Sequence, residues 1–513
     1  MTVTSLDFFV LLVIGVLVYY LVPKRAQWGV LLVLSITFYM FAANPYTLAY
    51  IIISALLAYV AGWTVSRKEQ GKVNKGVTNI IIVGAIIINI LLWLILKGES
   101  FWLWGFQLLN RMNSLIKIPK SEFVAALGMG YYTAQTIGYI LDVHWGISKP
   151  EKNPLKVLLF VIFFPQLTVG PISKFSELQN IYEAHEFTYK NICFGTQRIL
   201  WGLYKKLVIS DRVAIIVNAI WNDTLTYNGI WPWIAVLLYP LEIYTDFSGC
   251  MDIILGAAEL FDIKMPENFK NPFYSLTIQE FWQRWHITLG IWAKDYIYYP
   301  VLKSKMMIAI GKRARSIFSK RMAKLIPWSI GMGILWLVMG VWHGSLKHVV
   351  GVSVWYWMII TISEALSPEF KKVKNFLKID VNVFSWKFFQ RIRTYAIFSI
   401  GCVFFVAAGI TDVFNRYKIL INSIKSPNLW TLFDGTIMSM NISWGDINLI
   451  ILGILSMIVV AYLREKYDYA RNWMAIQILP FRWIAWLGLF TIVLIYGHYG
   501  AGYEASQFIY QGF

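Results

Sequence analysis

Residues Leu325–Lys347 read LIPWSIGMGILWLVMGVWHGSLK, an apolar run that ends on one histidine with glycine at 340 and 344. The segment before it, Lys303–Lys324, carries eight lysines and arginines and no acid. A bilayer core needs about 20 apolar residues in a helix, and Ile326–Val341 approaches that length. Similar runs recur from Phe8–Val22 to Trp483–Tyr496. The 513 residues are 58% hydrophobic, 17% aromatic and only 14% charged, against about 25% charged in a soluble domain. A soluble chain of this length would divide into several domains joined by polar linkers, and no such linker occurs. The expected class is an all-α polytopic membrane protein.

The 46 Lys+Arg against 28 Asp+Glu give a formal net charge of +18. In a soluble protein that excess would point to nucleic acid. Here the bases sit in short connections between apolar runs, as the positive-inside rule requires, so the expected partner is the lipid bilayer and no nucleic acid. The three cysteines, Cys193, Cys250 and Cys402, form neither a disulfide framework nor a CxxC pattern, and no metal site is expected.

Orientation follows from the loops. Asp7 precedes the first apolar run and Lys24 and Arg25 follow it, so Leu6–Val22 reads as a retained span with its N-terminus outside rather than as a cleaved leader. Gly29–Ala43 returns outward to a turn at Asn44-Pro45, and Thr47–Trp63 comes back in. The basic stretches Lys303–Lys324, Lys371–Arg393 and Arg464–Arg471 are placed inside. Ile326–Val341, Ala396–Ile410 and Trp483–Tyr496 then run outward, and the tail Gly497–Phe513 is extracytoplasmic. Residues 98–212 carry charges of mixed sign and receive no topology. No internal repeat is found, which weakens an inverted-repeat transporter.

Ionisable groups inside spans are costly and are functional candidates by default. His343 lies sixteen residues after Pro327, about 24 Å along a helix, deep in the membrane or toward its outer half. Gly340 and Gly344 are expected to bare its ring to substrate; a packed histidine is the alternative. His286 follows a capping-box pattern, Thr277 to Glu280, on an interfacial or re-entrant helix rich in tryptophan. Arg284 is spaced to pair with Glu280. An interfacial histidine bonded to nearby backbone remains the other reading. Glu242, Asp246, Asp252 and Glu259 share one apolar stretch with no base. They are expected to pair with Arg212, Arg284 or a lysine, the alternative being a proton relay.

Six motifs occur in order: YYTAQTIGYILDVHWG (Tyr131–Gly146), FFPQLTVGPI (Phe163–Ile172), YTDFSG (Tyr244–Gly249), PENFKNPF (Pro266–Phe273), EFWQRWHIT (Glu280–Thr288) and WHG (Trp342–Gly344). Together they resemble the membrane-bound O-acyltransferase family, in the bacterial branch that O-acetylates alginate or peptidoglycan. The likeness covers roughly residues 125–350 and extends into the tail.

The resemblance implies ten to twelve spans plus re-entrant helices around a central tunnel, with a catalytic core over 121–410. N-terminal helices over 1–120 and C-terminal helices with a tail over 411–513 flank it. His343 becomes the catalytic histidine and His286 the second polar position, with Trp282, Arg284, Trp285, Trp342, Asp246 and Ser248 toward substrate or tunnel. The implied donor is acetyl-CoA or another acyl thioester, with an acyl carrier as one source and no bound cofactor. The implied partners are an extracytoplasmic acetyltransferase and a surface glycan, in the cytoplasmic membrane of a bacterium. Phe508-Ile509-Tyr510 is similar to the Phe-x-Tyr ending of the small companion peptide of D-alanylation, which makes Tyr510 a candidate acyl relay. The chain departs from the pattern in ending YQGF, and in Val406, where relatives often carry arginine. D-alanyl transfer to teichoic acid is the alternative within the family, and a proton-coupled polysaccharide or lipid transporter the alternative outside it.

Overall fold

The computed structural model describes residues 1–97 and 126–499. Among the described residues all regular structure is helical, and the one strand-like contact is an isolated antiparallel bridge from Phe269 to Trp285. The first helix, Leu6–Leu21, is capped by Ser5, whose hydroxyl oxygen accepts from the Phe8 amide at 3.3 Å. Gln27–Ala42 follows, and Asn44 accepts from the Tyr46 amide at 3.1 Å to turn the chain into Leu48–Glu69. These elements fall within a few residues of the runs read from the sequence, except that the third continues to Glu69.

Eight helices among the described residues are long and apolar enough to cross a bilayer: Lys24–Ala42, Pro45–Glu69, Lys75–Leu94, Lys320–Trp342, Leu346–Ala365, Phe384–Val406, Trp444–Tyr467 and Leu479–Tyr496. They expose large apolar side chains such as Val33, Ile80, Leu337 and Leu494, a surface that lipid tolerates and water does not. The protein is therefore a multi-pass membrane protein. Leu6–Leu21 is short, and the longest helix, Trp231–Leu260, carries four carboxylates and is buried inside the protein.

That helix, about 45 Å long, organises the core. Tyr189–Leu203 packs antiparallel to it through glycines on both partners. A Cβ on Gly195 would meet the Gly256 carbonyl oxygen at 2.7 Å, and one on Gly202 the Gly249 oxygen at 2.5 Å. Small residues on both faces let the two backbones touch, the usual means of tight association where apolar burial drives little. The chain then widens into a π-helical segment, Tyr204–Ser210, which sets Lys205 and Lys206 against the long helix. Lys205 reaches Asp252 at 2.7 Å and the Ser248 hydroxyl at 2.8 Å. Lys206 reaches Asp246 at 2.7 Å and Asp211 at 3.0 Å.

Arg198 bridges Asp252 at 3.0 Å, Glu259 at 3.2 Å and Glu267 at 2.8 Å. The expected structural pairing is thus present for Asp246, Asp252 and Glu259, but two of its named bases are elsewhere. Arg212 binds Asp446 at 2.9 Å, and Arg284 binds Glu280 at 3.0 Å and Glu465 at 2.7 Å. Arg198, Lys205 and Lys206 come from the neighbouring helix and its π-helical extension, which places them at the depth of the acids they serve.

Candidate active site

Lys320–Trp342 is a 23-residue helix whose C-cap is His343. Gly344 takes φ +87 and ends it, the left-handed stop that glycine tolerates best. The neighbouring glycine does not serve access to the ring. A Cβ on Gly340 would lie 2.2 Å from the Ser353 hydroxyl and 2.9 Å from the His348 carbonyl oxygen. Gly340 therefore seats the segment Val349–Trp355 against the helix, and Ser353 donates to the Trp336 carbonyl at 2.7 Å.

His286 lies at a break. The Thr277 hydroxyl oxygen accepts from the Glu280 amide at 3.1 Å and starts the helix Ile278–Arg284. Glu280 turns instead to the Leu276 amide at 2.8 Å, so the reciprocal half of the capping box is absent. Trp285 is extended, His286 adopts φ 47, and a second helix runs Ile287–Ala293. The extended pair lies against residues 268–270: Lys270 donates to the Arg284 carbonyl at 2.9 Å and Ile287 to that of Asn268 at 3.0 Å.

Left-handed backbone at a histidine is strained, and Asn268 offsets the strain. Its side-chain oxygen accepts from the Thr288 amide at 3.1 Å, the Thr288 hydroxyl at 3.0 Å and His286 Nδ1 at 3.2 Å. Thr288 in turn accepts from the Ile172 amide at 3.0 Å. Burial pushes the His286 pKa well below the ordinary histidine value, because the charged ring would lose its solvation. Asn268→Ala should cost about 1–3 kcal/mol for each donor left buried. Thermal unfolding of the purified protein should show a clear loss of stability, smaller for Asn268→Asp; equal stability of Asn268→Ala and wild type would remove Asn268 from this role.

The two histidines meet around Trp342. Its ring centroid lies 6.0 Å from that of His286 and 5.0 Å from that of His343. Tyr131 stacks on His286 at 6.4 Å and meets Trp342 edge-on at 5.7 Å. Phe247 closes on His286 at 5.0 Å, and Phe405 lies 5.7 Å from His343.

Both rings also line one cavity of about 290 Å3. Trp328, Met332, Leu335, Met339 and His343 contribute to its wall, and this spacing is a single face of one helix. The cavity therefore follows that helix for about 22 Å, from just beyond the basic segment to His343. Lys294, Tyr298 and Tyr299 also contribute to its lining.

Trp282 and Trp285 line the cavity. Trp342 stands behind the two imidazoles. Arg284 is held by Glu280 and Glu465, while Asp246 and Ser248 bind Lys206 and Lys205, and none of these three is among the lining residues. Asp246 and Ser248 do flank Phe247 and so set its ring against His286. Tyr510 lies outside the described residues. The sequence reading passed over Asn268, although it stands within the quoted PENFKNPF. It also passed over His348, which follows His343 by five residues and accepts from or donates to the Ser345 hydroxyl at 2.8 Å.

Fold and site together define an integral membrane protein with two buried histidines on the wall of an elongated internal cavity. Residues 149–313 match the model of the membrane-bound O-acyltransferase family. It is 27% identical over 327 residues to a probable alginate O-acetylase of Pseudomonas aeruginosa, covering 62% of this chain and 57% of that protein. It is 28% identical to a peptidoglycan O-acetyltransferase of Helicobacter pylori, covering 67% and 66%. A teichoic acid D-alanyltransferase of Bacillus subtilis is 27% identical, covering 63% of this chain and 75% of that protein. The chain spans about half the length of the alginate relatives it matches.

Proposed function

We propose that the protein is an O-acyltransferase that moves an acetyl group from a cytoplasmic thioester, acetyl-CoA or a carrier-bound acyl group, for O-acetylation of a surface or secreted polysaccharide. The observation that carries the reading is the placement of His343 on the wall of a cavity that follows its helix from the basic end. A thioester admitted there would meet its acceptor at the imidazole.

His343 takes the proton of the acceptor hydroxyl as its oxygen attacks the thioester carbonyl carbon. The C–O bond forms, the C–S bond breaks, and the proton passes from the imidazole to the departing thiolate. The thioester needs little activation. The hydroxyl does, because its pKa lies far above neutrality. His286, kept neutral by burial, orients the wall around Trp342 and leaves no charge to compete for the proton. The basic stretches would lie inside, both termini outside, in the cytoplasmic membrane of a bacterium, with an extracytoplasmic acetyltransferase as the partner that completes transfer to the glycan.

Tyr510 is the proposed relay. The described chain reaches Tyr499, and the eleven residues from there to Tyr510 extend at most about 40 Å. His498 donates to the Leu207 carbonyl at 3.0 Å. Leu207 lies in the segment whose lysines hold the helix bearing Phe247, the ring against His286. A reach of that length is compatible with a relay in which the tyrosine hydroxyl is the first acceptor. Tyr510→Phe should abolish an acyl ester on the tail peptide, read by mass spectrometry after incubation with labelled donor. An ester of normal yield in that variant would reject the relay. The teichoic acid relative supports D-alanyl transfer as a second reading, which an acyl carrier loaded with D-alanine, offered beside acetyl-CoA, would separate from the first.

A further inference from the structure

A second cavity, of about 400 Å3, lies between helices Tyr189–Leu203, Trp444–Tyr467 and Leu479–Tyr496. Its walls are apolar, with Trp201, Leu463, Trp473, Trp486 and Leu489 among them, while Arg198, Asp252, Arg464 and Arg471 gather as its polar component. Its volume falls in the range of about 300–1,000 Å3 typical of ligand sites. The two C-terminal helices that form it are the least covered of the eight spans: only 11% and 6% of their most apolar windows are buried. In a membrane their outer faces meet lipid.

The polar component is unbalanced. Joined by direct contact are four cations, Arg198, Lys205, Arg464 and Arg471, and three carboxylates, Asp252, Glu259 and Glu267. Among the described residues this network therefore holds one positive charge in excess. An excess charge at low dielectric is costly, and a single anion beside it is favoured. Tryptophan is the side chain that best accommodates a boundary between apolar chain and polar head.

We propose that this cavity binds one bilayer phospholipid of single negative charge, its phosphodiester against Arg464 and Arg471 and an acyl chain along Trp486 and Leu489. The site is distinct from the histidine cavity, with which it shares no lining residue, and the proposal does not depend on acyl transfer.

The test is native mass spectrometry of the full chain, released from nanodiscs made with phosphatidylglycerol or with phosphatidylcholine. One phosphatidylglycerol should stay bound to the wild type and phosphatidylcholine should not. Ala485→Phe and Leu489→Trp fill the cavity without touching the charged network, and each should lose the adduct. Wild type that retains no lipid, or retains both lipids equally, overturns the proposal. So does a folded Ala485→Phe or Leu489→Trp variant that keeps phosphatidylglycerol as the wild type does.

Discussion

His343→Ala should lower thiol release from the donor by about 10²–10⁴-fold, the range that a general base contributes, while the protein still purifies as a folded species. The position makes both halves of that result expected. His343 is the cap of its helix rather than an interior residue, and Gly344 already ends the helix by its own backbone. Removing the ring leaves the helix hydrogen bonds in place. What is lost is the imidazole on the cavity wall, together with its contacts to Trp342 and Phe405. His343→Gln, closer in volume, should restore packing without restoring rate. A rate within about twofold of wild type in either variant would be far below the loss expected of a base.

Gly202→Leu should abolish the folded protein. Its Cβ would sit 2.5 Å from the Gly249 carbonyl oxygen and 2.8 Å from the Ile253 amide nitrogen, and neither is a side chain that can rotate away. Relief requires the two helices to separate. Separation also pulls Lys205 from Ser248 and Asp252, and Lys206 from Asp246. Overpacking alone costs about 1–3 kcal/mol, and each buried ion pair broken adds about 3–5 kcal/mol, comparable with the whole stability of a domain. Size-exclusion chromatography in detergent should show aggregate in place of a single peak. Gly29→Ala, where nothing lies within 4 Å of the new Cβ, should behave as wild type. A monodisperse Gly202→Leu protein would mean that the glycine contacts do not set the helix spacing.

The parts of this architecture that were legible in the sequence are those governed by local chemistry. The apolar runs located the helices Leu6–Leu21 and Gln27–Ala42 almost to their ends, and the C-terminal end of Lys320–Trp342, which starts six residues before the run Ile326–Val341. The spacing of Glu280 and Arg284 gave their pair. The parts that were not legible depend on distant residues. The break at His286 is stabilised by Asn268, eighteen positions earlier, and by Ile172, whose amide Thr288 accepts. No pattern within the run EFWQRWHIT announces a left-handed residue in its middle. The partners of the buried acids lie 47 to 69 positions away for Lys205 and Arg198, and helix pairing decides which base arrives.

Gly340 shows a different limit. A glycine beside a candidate histidine reads as clearance for substrate, yet here it is clearance for Ser353 and the His348 backbone. A sequence records the missing side chain but not what fills its place.

The most direct test of His343 as the base for acyl transfer uses purified protein in proteoliposomes with a thioester donor labelled separately in its acyl and thiol portions. Wild type should release free thiol as the acyl label appears in an ester, and His343→Ala should do neither while still binding donor. Movement of both labels together across the membrane, or thiol release undiminished in His343→Ala, would contradict the account.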